Sequence, residues 1–327
     1  MKHVSILVPM GHSSLPNIDG TMQILNEVND MAANMGSDPV FRVELVGLSH
    51  KIEQRRGLYS VRPDKLIADV PRTDLIIIPA MHGDFDKALK LNADFIPWIK
   101  QQYALGAEIA AFCIGSFFLA ETGLLDGKKA ATHWVAAADF KSRYPQVELV
   151  DEKILTAVDG LYTSGGAYSF LNLLIYLIEK YAGRGMAIMT AKCFLIDFDR
   201  SSQSPFIIFQ GQKSHEDEPI KEAQEFIETN FSERISVEEL AKKFAMGRRN
   251  LERRFKKATN NTVMEYMQRV KIEAAKKSFE TCAKTVSEVM YDVGYSDTKA
   301  FRELFKKITG MSPVNYKQKY NKTLLIA

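Results

Sequence analysis

The sequence predicts a parallel α/β domain followed by an all-α domain that contains two helix-turn-helix units, and three observations carry that prediction. Short apolar runs alternate with helical patterns from residue 1 to about 211. Near the C-terminus a pattern recurs about fifty residues apart: Phe255-Lys256-Lys257-Ala258-Thr259 followed by Tyr266, then Phe305-Lys306-Lys307-Ile308-Thr309 followed by Tyr316. Charge is divided between the same two parts. Residues 236–327 carry 20 Lys and Arg against 10 Asp and Glu, so a chain of net charge +3 has an acidic body and a basic end.

In the first part, Val4 to Val8, Phe41 to Leu48, Leu75 to Ile78 and Ile109 to Phe112 read as strands buried on both faces. Ligands of parallel sheets sit beyond the carboxyl ends of the strands. Those ends are Pro9-Met10-Gly11, Pro79-Ala80-Met81-His82-Gly83, Cys113-Ile114-Gly115 and Thr163-Ser164-Gly165-Gly166. The run Ala110 to Ser116 places Cys113 at a strand-to-helix corner, as in a nucleophile elbow. Free N–H groups of the following helix are expected to lower its thiol pKa.

Together with Leu124-Leu125-Asp126-Gly127 and Ala131-Thr132-His133-Trp134, this elbow makes the domain resemble the ThiJ/PfpI class, which is similar to class I glutamine amidotransferases. The resemblance implies a flavodoxin-like fold and a pocket at Asn17, His82, Gly83, Cys113, Ile114, His133, Gly165 and Gly166. Two chemistries remain open. In one, Cys113 is a nucleophile and His133 its base, giving a hydrolase, amidase or glyoxalase-like enzyme. In the other, the pocket binds a small metabolite without catalysis. The second is preferred, because Ile114 stands where catalytic relatives commonly place a His, and Asn17 stands where they place an acid. An amide is no general base. Trp134 and Tyr168 are candidate π faces for a cationic nitrogen group.

The order of domains resembles GlxA-type regulators, and Asp199-Arg200-Ser201-Ser202-Gln203-Ser204-Pro205-Phe206 looks like the connector that such regulators carry. The expected division is 1–211 for the ligand domain, 212–218 for a polar linker and 219–327 for the helical domain.

In the helical domain, three capping boxes mark helix starts: Ser236-x-x-Glu239, Thr262-x-x-Glu265 and Thr285-x-x-Glu288. Ser312 before Pro313 marks a fourth. Each repeat has an amphipathic segment, a tight break expected at Gly247 or Gly294, and a second helix. Leu251 and Phe255, then Phe301, Phe305 and Ile308, recur at helical spacing and face inward. That leaves Arg249, Asn250, Glu252, Arg253 and Lys256 outward on the first helix, and Thr298, Lys299, Arg302 and Lys306 on the second. Arg, Asn and Glu suit base edges, and Lys suits phosphate. Glu252 has a simpler alternative, an ion pair with Lys256. A helical pattern of about 19 residues from Thr262 to Cys282, some 28 Å long, separates the two units, close to the spacing of successive major-groove segments.

From Ile220 to Tyr320 this layout resembles the AraC-type DNA-binding domain, carried by Ser236 to Ala241, Arg249 to Lys257, Val293-Gly294-Tyr295-Ser296-Asp297, Phe301 to Lys307 and Gly310 to Tyr316. The resemblance implies double-stranded promoter DNA as partner, base contacts from Arg249, Glu252, Arg253, Thr298, Lys299 and Arg302, a homodimer, RNA polymerase nearby, and activation more than repression. A small effector of amino acid, amine or betaine type is implied by the same family. A stand-alone architectural nucleic-acid protein is disfavoured, because the α/β part has a ligand-site layout.

Composition adds exclusions. At 46% hydrophobic and 25% charged the chain is too apolar to be disordered. Its longest N-terminal apolar stretch, Val4 to Met10, is short for a signal peptide and no run reaches a membrane span, so a cytoplasmic protein is expected. Cys113, Cys193 and Cys282 lack metal-binding spacing, so neither a disulfide nor a metal is expected, and no cofactor is expected either.

Overall fold

Apolar runs without polar alternation become the central strands of one sheet in the computed structural model, which describes residues 1–55, 57–197, 202–213 and 215–321. The strands are β1 (Lys2–Val8), β2 (Phe41–Gly47), β3 (Ile52–Gln54), β4 (Tyr59–Val61), β5 (Lys65–Leu66), β6 (Leu75–Ile78), β7 (Glu108–Ala111), β8 (Lys129–Ala130), β9 (Glu148–Leu149), β10 (Leu155–Val158) and β11 (Leu161–Ser164). Seven of them run in the order β10-β11-β7-β6-β1-β2-β5, and every neighbouring pair is parallel except β10 with β11. β3 with β4 and β8 with β9 form two small separate sheets.

Helices α1 (Leu15–Asn34), α2 (Phe85–Leu91), α3 (Phe95–Ala104), α4 (Gly115–Glu121), α5 (Ala137–Arg143) and α6 (Phe170–Cys193) complete this unit, α6 being broken at Gly183. In β1 the alternation is visible. Val4, Ile6 and Val8 join Ile24 and Val28 of α1 and Leu174 and Ile178 of α6 in one core. Leu7 faces the other core with Ile76, Ile78, Phe95, Ile99 and Phe118. The long parallel strands take the flavodoxin-like order, which puts the switch point between β1 and β6 and a ligand crevice beyond their carboxyl ends.

The chain divides into compact units between Gln203 and Ser204. Residues expected to end the first domain or to form the linker pack within the second unit: Phe209 lies edge-on to Tyr266, Gln224 donates to the Gln212 carbonyl, and Asp217 caps the next helix. Of the expected connector, Asp199, Arg200 and Ser201 lie outside the described residues.

The second unit contains α7 (Glu218–Thr229), α8 (Val237–Lys243), α9 (Arg248–Thr259), α10 (Val263–Thr281), α11 (Val286–Asp292), α12 (Thr298–Thr309) and α13 (Pro313–Tyr320). All three capping boxes form, at α8, α10 and α11, and Ser312 caps α13. One core gathers Ile220, Leu240, Leu251, Phe255 and Tyr266. The other gathers Ile272, Phe279, Met290, Phe301, Phe305 and Tyr316, so the 19-residue α10 contributes to both.

The two breaks are built alike, though only the second lies where expected. After α8, Met246 N bonds to Ala241 O and Ala245 N to Lys242 O; after α11, Tyr295 N bonds to Met290 O and Gly294 N to Tyr291 O. Each is a Schellman ending, which needs a left-handed residue. Gly294 has φ +76°, but its counterpart is Ala245 at φ +50°; Gly247 is extended and only precedes α9.

Candidate nucleic-acid interface and ligand pocket

Burial of Leu251, Phe255 and Thr259 on α9, and of Phe301, Phe305 and Thr309 on α12, fixes which face of each helix turns to solvent. Arg249, Asn250, Arg253 and Lys256 are exposed on α9, as are Thr298, Lys299, Arg302 and Lys306 on α12, while Glu252 is half-buried. Each helix has 12 residues.

Several of these charges are already engaged. Arg248, which lies outside the expected base-reading set, pairs with Glu238 of α8 and with Glu252 at 3.2 Å. The expected Glu252–Lys256 pair does not form. Lys256 instead donates to the Asn260 carbonyl at 2.9 Å, at the C-terminal end of α9, where a cation is favoured by the helix dipole. Arg253 donates to Asn250 Oδ1 at 3.0 Å, and Arg254 makes two bonds to Asp217. Among the described residues no hydrogen bond or ion pair engages the side chains of Arg249, Lys299, Arg302 or Lys306.

At the carboxyl ends of the strands, Cys113 turns the chain from β7 into α4 with φ +55°, a left-handed backbone that costs a non-glycine residue about 1–3 kcal/mol. The corner is held by backbone bonds. Cys113 N donates to Ser164 Oγ at 3.2 Å, and its carbonyl accepts from Ser116 Oγ at 2.9 Å and Thr132 Oγ1 at 3.3 Å. The side chain is 3% exposed. Burial pushes the thiol up to about 11, against a smaller lowering by the Ile114 N–H, so the expected activation by the helix start does not occur. At neutral pH the group is a thiol.

The residues expected beside it are engaged elsewhere. Asn17 is buried and its Oδ1 accepts from Ala80 N at 3.1 Å. His133 uses Nδ1 to accept from Val135 N at 3.1 Å. Among the described residues no hydrogen bond joins Cys113 to a histidine. His82 and His133 are both held below the ordinary His range, first by partial burial, then by positive neighbours: His12 and Arg55 for His82, and His82 for His133. His82 follows β6, with its N–H on the His12 carbonyl at 2.6 Å and its ring 5.8 Å from that of His12.

Ile114 and Trp134 are half-buried, the Trp134 ring lying 5.6 Å from that of His133; Gly83 is exposed. Tyr168 is 65% exposed. Gly165 and Gly166 lie against Gln203, and the Gly166 side of that wall faces His133 Nε2. Two groups here carry no signal in the sequence. Ser13, bridged to Met81, buries a hydroxyl with no partner among the described residues, and Gln203 fills a polar niche. Among the described residues there is no group of three His, Cys, Asp or Glu that could hold a metal, and no helix is long and apolar enough to cross a membrane.

Residues 25–180 match the DJ-1/PfpI family and residues 240–319 match a helix-turn-helix domain. The HTH-type transcriptional regulator GbdR of Pseudomonas aeruginosa is 22% identical over 88% of this chain and 78% of its own length. ArgR of the same species, also an HTH-type transcriptional regulator, is 26% identical over 66% of this chain and 65% of its own. Among solved structures, a Vibrio parahaemolyticus protein described as a transcriptional regulator covers 59% of this chain and 98% of its own at 25% identity, with TM-score 0.53. An AraC family transcriptional regulator from Pseudomonas putida covers 59% of this chain and 100% of its own, with TM-score 0.50; at 17% identity this likeness concerns the fold alone.

Proposed function

Because the chain joins a DJ-1/PfpI domain to an AraC-type helix-turn-helix domain, we propose that it is a sequence-specific DNA-binding transcriptional regulator whose N-terminal domain senses a small metabolite. One observation carries the reading: two recognition-type helices of equal length, each buried by the same three positions, turn basic side chains to solvent. Arg249, Asn250, Glu252 and Arg253 of α9 and Thr298, Lys299 and Arg302 of α12 are the base-reading residues of this proposal, and Lys256 and Lys306 hold phosphate. Arg253→Ala is expected to weaken specific binding by about 1–3 kcal/mol and to relax preference at one base position. A binding-site selection in which the variant loses affinity equally on specific and random DNA contradicts it.

The pocket at Asn17, His82, Gly83, Cys113, Ile114, His133, Gly165 and Gly166 takes a small polar effector, of amino acid, amine or betaine type, without turning it over. A neutral, buried thiol with no engaged base supports binding over catalysis. Effector binding acts by preferring one arrangement of a homodimer on promoter DNA next to RNA polymerase, with activation as the expected outcome.

The strained backbone at Cys113 favours one other reading, a residual hydrolase or glyoxalase-like activity. Thermal-shift screening of the wild type and Cys113→Ala against small amines, amino acids and betaines separates the two. Equal shifts in both proteins support a sensor; turnover that only the cysteine form performs replaces it with an enzyme. Iodoacetamide should label Cys113 slowly at pH 8, with a rate that rises about tenfold per pH unit toward 11. Full-rate labelling at pH 7 would revive the nucleophile.

A further inference from the structure

Resting on the sensor reading above, we propose that the carbonyls of Thr132, Asp151 and Lys153 and the N–H of Gly166 form a binding site for a primary carboxamide, occupied here by the chain's own Gln203 as a tethered ligand. Gln203 Nε2 lies 2.9, 2.7 and 3.2 Å from the three carbonyls, its two hydrogens shared among them, and Oε1 accepts from Gly166 N at 3.0 Å. The side chain is 3% exposed, and backbone partners both of its polar atoms. A carboxylate in this place would set two anionic oxygens among three acceptors, and an N,N-dimethylated amide would bring no hydrogen to share. The cradle therefore selects an unsubstituted amide. Gly165 makes room for it, since a Cβ there would stand 2.8 Å from the Gln203 amide atoms.

This cradle shares walls with the elbow. The Thr132 hydroxyl accepts from Ser116 and donates to the Cys113 carbonyl, and Ser164, one residue before Gly165, accepts from Cys113 N. A molecule bound beside Cys113 thus meets the residues that hold Gln203. Gln203 is also where the first unit ends. Ser202 bridges Lys153, and Gln203 N donates to the Glu152 carbonyl at 2.9 Å. Immediately downstream, within the second unit, Lys276 donates to the Ile207 carbonyl and Glu273 accepts from Phe209 N at 3.1 Å, these two side chains forming a buried pair at 2.7 Å on α10. The connector is fastened at each end inside a different unit. Displacing Gln203 from its cradle undoes one fastening, which gives pocket occupancy a physical route to the helix that separates the two DNA-reading units.

Propionamide reproduces the Gln203 side chain. In calorimetry or ligand-observed NMR on the full chain, Gln203→Ala should bind propionamide about tenfold or more tighter than the wild type, because the tethered competitor is gone. Neither N,N-dimethylpropionamide nor propionate should bind. Hydrogen exchange across residues 202–209 should rise about tenfold or more in the same variant. If Gln203→Ala fails to fold by circular dichroism, Gln203→Asn, which withdraws the amide by one methylene, serves for the same comparison. Equal propionamide affinity in wild type and variant, or equal binding of the dimethyl amide, overturns the cradle. Unchanged exchange at 202–209 in a folded variant overturns the latch. These measurements use no DNA, so failure to bind promoter DNA would count against the regulator reading alone.

Discussion

Phe255 meets Tyr266 edge-on at 5.2 Å in the first helix-turn-helix copy, and Phe305 meets Tyr316 at 5.4 Å in the second. Tyr266 donates to Glu228 at 2.5 Å and Tyr316 to Glu280 at 2.6 Å; Thr259 and Thr309 each return a hydroxyl to the carbonyl of that Phe at 2.8 Å. These three contacts recur in both copies. The outward halves differ. On α9, Arg248, Arg253, Arg254 and Lys256 are tied to neighbours and Arg249 and Lys257 are not, whereas among the described residues none of Lys299, Arg302, Lys306 and Lys307 of α12 has such a bond. Packing fixes the scaffold, while the exposed face is free to diverge. Side chains that are already tied lose less entropy on docking than untied ones.

The two copies differ most at their left-handed Schellman residues. At Gly294 the backbone is left-handed and a Cβ would overlap the Ser232 carbonyl, so Gly294→Val should cost about 3–5 kcal/mol and unfold the second copy. At Ala245 the strain is already present, and Ala245→Gly should stabilise the first copy by about 0.5–1 kcal/mol. Urea denaturation followed by hydrogen exchange in α8 and α11 reads both. Destabilisation of similar size at the two sites would mean that the breaks are not equivalent.

Salt dependence sharpens the difference between the faces. Removing one phosphate-binding cation should reduce the slope of log affinity against log salt by about 0.9. Lys306→Ala is expected to reduce it by about 0.9, and Lys256→Ala by clearly less, because its ammonium already serves the end of α9. Fluorescence anisotropy between about 50 and 200 mM salt covers the useful range. A larger drop for Lys256→Ala than for Lys306→Ala would contradict that expectation.

What was legible in the sequence was local or periodic. The buried strands, the three capping boxes and the Phe-to-Tyr spacing of each repeat are set by local pattern, and all appear, with some strand ends shifted by one or two residues. Gly294 announced its break; Ala245 could not, since nothing about alanine signals a left-handed backbone. The thiol pKa was misjudged for another reason. A helix start is visible in sequence, but the burial that outweighs it comes from strands far along the chain. The Gln203 cradle was equally hidden, because carbonyls of 132, 151 and 153 carry no residue identity and only the fold gathers them.

Acid should separate the copies more gently. Glu239, Glu265 and Glu288 are held below the usual 4.5, in each case chiefly because the carboxylate accepts the backbone N–H of its capping partner, Ser236, Thr262 or Thr285. A carboxyl whose folded pKa is depressed contributes stability that is complete above its unfolded value and is lost as pH falls through the folded one. The position equivalent to Glu265 in the second copy is Asn315, which does not titrate, and Ser312 caps α13 alone. Below pH 4.5, the usual value for these carboxyls, amides at the starts of α8, α10 and α11 should lose protection while those of α13 keep theirs, and Glu265→Gln should remove the pH dependence at α10. Equal fraying of α10 and α13 in acid would show that the carboxylate locks add nothing to the caps.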